Sequence, residues 1–166
     1  MLHRSFALGL VTALALAGCA SDGGLETSAT HDPLTRFPAE ATFSWDESGN
    51  KLPRDERIQA LDLDPLIRQA ANQEFAARGY RVTASGGADF RLSYHLDVHT
   101  WIGAGDSKSV ASLSLLLVEA SSDRRVWLGY GRAELDVSVS REERSARLRK
   151  ATAKILEKFP PNQPKS

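Results

Sequence analysis

Ligating side chains stand at alternate positions in His95-x-Asp97-x-His99. Alternate residues of an extended strand point the same way, so two imidazoles and a carboxylate share one face, a spacing that metal sites use. The competing reading is a solvated strand face. His31 is the one other imidazole outside the N-terminal leader, and no carboxylate is obviously placed to complete a four-ligand set. No metal and no cofactor are therefore expected, although His95, Asp97 and His99 remain the candidates. Nucleophilic catalysis has less behind it. The chain lacks a Gly-x-Ser-x-Gly elbow. Ser112 and Ser114 are expected opposite His99 and Asp97 across a hairpin, where a serine beside a histidine reads first as a polar cross-strand pair. Gly103-Ala104-Gly105 reads as a hairpin loop rather than an anion nest, and Trp45 and Trp127 as core anchors. The chain is not expected to be an enzyme.

Cys19, the sole cysteine of 166 residues, carries a more specific signal. Met1 to Arg4 form a short basic start, followed by an apolar run from Phe6 to about Leu16. That run is shorter than the roughly 20 apolar residues a spanning helix requires, and Gly9 and Thr12 interrupt it. It reads as a cleaved export signal. Leu16-Ala17-Gly18-Cys19 resembles the lipobox of bacterial lipoproteins, in which the cysteine is acylated and heads the mature chain. Ala20 rather than aspartate follows it, which resembles the outer-membrane signal. The expected address is the cell envelope, lipid-anchored to the outer membrane and facing the periplasm. Disulfides and thiolate clusters are excluded by count. Residues 1–18 carry Arg4, so the remainder has 20 basic against 21 acidic residues and no basic cluster. Nucleic acid is not an expected partner.

The elements that would position these side chains follow from periodicity. Residues 19–36 are small and polar and read as lipid anchor and flexible tether, residues 37–161 as a single domain, and residues 162–166 as a loose tail. Phe43 and Trp45 alternate with polar neighbours in a strand over 41–46. Asp64-Pro65 reads as N-cap and first helical residue, and Gly79 as the left-handed residue closing that helix. Leu66, Ile67, Ala70, Ala71, Phe75 and Ala77 form its apolar stripe. A short strand at 81–83 is followed by three longer ones at 89–101, 109–120 and 125–138. Ser140 and Glu143 spell a capping box, after which Leu148, Thr152, Ile155 and Phe159 mark a buried stripe ended by Pro160-Pro161. The expected fold is α+β, two-layered, with a mainly antiparallel sheet of about five strands and two helices on one face, in the order β-α-β-β-β-β-α.

Several segments together resemble the small envelope lipoproteins catalogued as domain of unknown function 4136. They are the lipobox, His31-Asp32-Pro33 with Phe37, Thr42-Phe43-Ser44-Trp45 and Ala76-Ala77-Arg78-Gly79-Tyr80. The resemblance continues through Ala88-Asp89-Phe90, Ser93-Tyr94-His95, Val126-Trp127 with Gly129, and Ile155-Leu156 with Phe159-Pro160-Pro161. His31 departs from the pattern, which has an aromatic residue there. The resemblance implies a two-layer α+β lipoprotein of a Gram-negative envelope and no assigned reaction.

Three functional readings stand: a non-catalytic lipoprotein docking an envelope protein or a homodimer partner, a binder of a lipid or other apolar ligand between sheet and helices, and a His-based metal protein or enzyme. The first has a residue-level expectation. If Leu113, Leu115 and Leu117 face the helices, then Leu116 and Val118 face away. Strict alternation from Arg132, Glu134 and Asp136 puts Leu128 and Tyr130 beside them. Such a patch marks an interaction site. Two alternatives compete: a β-bulge at Gly129 or Gly131 that turns Leu128 inward, or coverage of the patch by the segment around Leu34 and Phe37.

Overall fold

Hydrophobic alternation dictates the centre of the sheet. Phe90, Leu92, Tyr94 and Leu96 are buried along β4 (Phe90–Ile102), and Leu113, Leu115 and Leu117 along β5 (Ser107–Glu119). These two strands and β6 (Arg124–Glu134) run antiparallel. The computed structural model describes residues 24–83, 87–102, 107–136 and 138–160. The export signal, Cys19, Gly103-Ala104-Gly105 and the tail at 162–166 lie outside them.

The remaining strands are β1 (Glu26–His31), β2 (Thr42–Trp45) and β3 (Arg81–Thr83), in a six-stranded sheet of order β1-β6-β5-β4-β2-β3. β2 runs parallel to both β3 and β4. The α+β class and element order match the expectation, with one more strand than expected. That strand is β1, within the segment read as tether. It pairs antiparallel with β6 from Glu26↔Arg132 to His31↔Trp127. Glu-Thr-Ser-Ala-Thr-His carries no apolar alternation. What makes it a strand is the row of backbone donors and acceptors that β6 would otherwise leave open.

A single helical turn, α1 (Glu56–Gln59), precedes α2 (Leu63–Ala77), which buries Leu63, Leu66, Ile67, Ala70, Ala71 and Phe75. Ala77 lies on its exposed side. The N-cap is Asp62, in a left-handed conformation and without a side-chain cap bond, rather than Asp64. Pro65 therefore sits in the third helical position, where its missing N–H still has no intrahelical acceptor to satisfy. The C-terminus closes as expected. Gly79, at φ 82°, donates to the Ala76 carbonyl and Tyr80 to that of Phe75, the two bonds of a Schellman motif.

α3 (Arg141–Leu156) starts at Ser140, whose hydroxyl accepts from the Glu143 amide at 3.2 Å. The returning half of the capping box is replaced by an ion pair of Glu143 with Arg147 at 2.6 Å. Thr152, Ile155 and Leu156 face the sheet, and Phe159 follows beyond the helix end. Both helices thus cover the face that carries Leu92, Leu115 and Trp127.

Candidate functional site

The outer face of the sheet carries His95, Asp97 and His99, together with Leu116, Val118, Leu128 and Tyr130. Register places Asp97 opposite Ser112 and His95 opposite Ser114, with His99 opposite Val110. The serines are two residues out of the expected pairing because β4 runs on to Ile102 and β5 begins at Ser107, a tighter hairpin than the sequence suggests. An even shift keeps every side chain on its face. His95 Nε2 lies 3.4 Å from Asp97 Oδ1, both about half exposed. Among the described residues no three His, Cys, Asp or Glu side chains are grouped so as to hold a metal. Ser112 instead meets the Tyr130 hydroxyl at 3.0 Å.

The apolar side chains lie where parity puts them. Leu116 pairs with Leu128, and Leu128 in turn with Thr30 of β1. Ser114 pairs with Tyr130, which faces Ser28. All four patch residues are half-buried rather than bare. A bulge does exist, but not at a glycine. Leu117 pairs with Trp127 and Val118 with Arg125, so Val126 is the extra residue, and Val126 and Trp127 are both buried. Val118 therefore sits between Arg91 and Arg125, one step along the same face from Leu116. The segment that offered the competing reading of a cover lies elsewhere. Leu34 is 85% exposed, whereas Phe37 enters the core against Phe90 and Phe159.

The glycines answer to the inner face. A Cβ on Gly129 would stand 2.1 Å from the Trp127 ring and 2.4 Å from Ile155, and one on Gly131 2.7 Å from Ile155. They let α3 press onto β6.

A polar network unannounced by any motif ties α2 to the sheet. Arg68 donates to both oxygens of Glu47, at 2.7 and 2.5 Å, and to Asp64 at 2.7 Å. Its guanidinium lies 5.0 Å over the Trp45 ring, and Asp64 also accepts from the Tyr94 hydroxyl at 2.6 Å. Burial, then the bond to Asp64, pushes the Tyr94 phenol upward, while the Arg68 bond holds Glu47 below the usual range. Each guanidinium nitrogen of Arg68 and the Tyr94 hydroxyl has a carboxylate acceptor, so the network clamps α2 to the sheet.

The inner layer is filled unevenly. Phe43, Phe75, Tyr80, Phe90, Trp127 and Phe159 pack ring against ring at one end. At the other, a cleft of about 100 Å³ opens between α3 and strands β4 to β6. Leu96, Val98, Ala111, Leu113, Ala133 and Leu148 line it without a single aromatic ring.

The fold and these surfaces define a class: a two-layer α+β domain whose six-stranded sheet is covered on one side. No helix among the described residues is long and apolar enough to cross a membrane. Residues 27–161 match the family described as domain of unknown function 4136, and the chain belongs to that family. Among solved structures, the PelC dodecamer from Paraburkholderia phytofirmans superposes with a TM-score of 0.55 at 15% identity, covering 84% of this chain and 99% of that one. A PDZ domain protein from Parabacteroides distasonis gives 0.57 at 13% identity over 84% of this chain, which spans only 36% of that protein. Lipoprotein GNA1162 from Neisseria meningitidis gives 0.46 at 15% identity, covering 70% and 98% of the two chains. No curated protein matches the sequence. At these identities the likeness is one of fold.

Proposed function

We propose that this chain is a non-catalytic envelope lipoprotein, anchored to the outer membrane through acylated Cys19, that docks a second copy of itself through its open sheet face. The carrying observation is the Leu116–Leu128 cross-strand pair, flanked by Tyr130, on the side of the sheet that neither helix covers. Half-buried aliphatic side chains gain from a partner that removes their remaining surface from water. Leu16-Ala17-Gly18-Cys19 and the following Ala20 support the anchor and its membrane. The choice of a second copy draws on PelC, a dodecamer of similar fold.

The test is purification of the lipoprotein from membranes, with its N-terminal peptide and its oligomeric state measured on the same sample. A lipid-modified Cys19 and an oligomer that a Leu116→Asp, Tyr130→Ser double variant reduces to a folded monomer are expected. An unmodified start at Ser21 removes the anchor. A wild-type monomer, or a double variant that unfolds, removes the docking face. A complex with a different envelope protein, lost in the same variant, would replace the second copy as the partner.

A further inference from the structure

We infer that the end of the β4–β5 hairpin rests in the headgroup layer of the membrane that holds the lipid anchor, with Trp101 and Ile102 as the residues that meet it. This contact rests on the acylation of Cys19 proposed above and gives the anchored domain an orientation.

The reach of the anchored chain is short. β1 begins at Glu26, inside the segment whose composition reads as tether, and its pairing opposite Arg132 fixes the chain from there on. Only Ala20 to Leu25 remain between the lipid-bearing residue and the sheet. Fully extended, the backbone from Cys19 to Glu26 covers at most about 25 Å. Any less extended path brings the two closer.

The hairpin points the way the anchor leaves. β1 is antiparallel to β6 and β6 to β5, so β1 and β5 start at the same end of the sheet, where β4 finishes. Level with Glu26 lie Arg132, Ser112 and Asp97, in that order across the strands. β6 ends shortly past this line, at Glu134, whereas β4 runs on to Ile102, opposite Ser107. The stretch from Asp97 to Ile102 projects about 17 Å at the rise of an extended strand. At most about 8 Å then separates the level of Ile102 from that of Cys19. An acylated cysteine lies at the headgroups with its chains in hydrocarbon, and that layer is itself about 5–7 Å thick on each side. A domain standing on this end brings the hairpin to the lipid.

The sequence at the hairpin end suits that place. From Thr100 to Gly105 no residue is ionisable, and the run includes Trp101, the residue type that settles at headgroup level. Charges at the same end cancel: Arg132 and Arg141 are exposed, and so are Glu134 and Asp136. The surface met is therefore the apolar boundary of a phospholipid layer, with no preference for anionic lipid.

The lipoprotein is purified from membranes and reconstituted into phospholipid vesicles whose acyl chains carry bromine close to the headgroup. Its tryptophan emission is compared with that of a Trp101→Phe variant of unchanged melting temperature. Trp127 is buried and Trp45 lies beneath Arg68, and both are common to the two proteins, so the difference reports Trp101. Bromine is expected to quench most of that difference, and an Ile102→Asp variant that still folds should lose the quenching. The N-terminal peptide is weighed on the same sample. Acylated Cys19 with unquenched Trp101 overturns the hairpin contact and leaves the anchor standing. Blue-shifted but unquenched Trp101 emission puts the hairpin against protein, a second copy included, and also overturns it. Quenching retained in Ile102→Asp overturns the part given to Ile102. An unacylated N-terminus removes the anchor and the hairpin contact with it.

Discussion

Gly129 and Gly131 show what a single residue type can hide. In sequence, a glycine in a strand signals either a bulge or a close approach, and the neighbouring residues do not say which. The structure separates the two causes. The bulge falls on Val126, which has no composition signal, while both glycines make room for Trp127 and Ile155. Gly129→Ala is expected to destabilise the fold by roughly 3 kcal/mol, the upper part of the range for overpacking, because the ring it meets is itself buried. Gly131→Ala should lose about 1 kcal/mol, since the end of the Ile155 side chain can turn aside. Urea unfolding of both variants, with unchanged m-values, checks the order. Asp64 was similarly ambiguous: the residue type suits an N-cap, but its carboxylate joins Arg68 to Tyr94 across two elements. Such a choice depends on partners 4 and 30 positions away.

At the level of elements, amphipathic segments were legible and the polar edge was not. β4 and β5 declare themselves through alternate burial, α2 through its stripe and its closing Gly79. The outer-face parity of Leu116, Leu128 and Tyr130 followed from the same alternation, although their partial burial did not. β1 declares nothing, because both of its faces are polar and its stability resides in pairing with β6. Asp32 donates its amide to the Val126 carbonyl at 2.9 Å. Antiparallel pairs alternate in their bonding, so the amides of Thr30 and Ser28 point to β6 as well, and that of Ala29 points away. Ser28→Pro should therefore release β1 and speed amide exchange at Leu128 and Tyr130, whereas Ala29→Pro should leave that exchange nearly unchanged. Equal effects of the two prolines would show that side-chain contacts, not backbone pairing, hold the strand.

For the molecule as a whole, the uneven filling of the inner layer is the dominant fact. Phe159 lies within ring contact of Phe37, Phe43, Phe75, Tyr80 and Trp127, at centroid distances between 4.7 and 6.4 Å. Burial beside these rings pushes the Tyr80 phenol up to about 12. Phe159→Ala is expected to destabilise the domain by about 3–5 kcal/mol, because five rings fixed by their own strands and helices cannot close around the void. Leu148→Ala, at the half-open end, should lose about 1 kcal/mol or less, since its side chain already meets water. Thermal unfolding of the two variants side by side measures the contrast. Near-equal losses would mean that the cleft is closed in solution.

The pairing of β1 with β6 also sets a schedule. Glu26–His31 is among the first segments made and the first to cross a membrane behind an export signal, yet its partner among the described strands, β6, is the last strand to be made. At about 5–20 residues per second, the roughly 100 residues between them take some 5–20 s to appear. Throughout that delay the segment is an unclaimed edge, the kind of stretch that pairs with whatever extended chain is near. A Val- and Ile-rich sequence would be hazardous there. Thr27, Ser28 and Thr30 hydrate well, and His31 interrupts any apolar run. The same plainness that conceals the strand from sequence reading keeps it soluble until Arg124–Glu134 arrives to receive it.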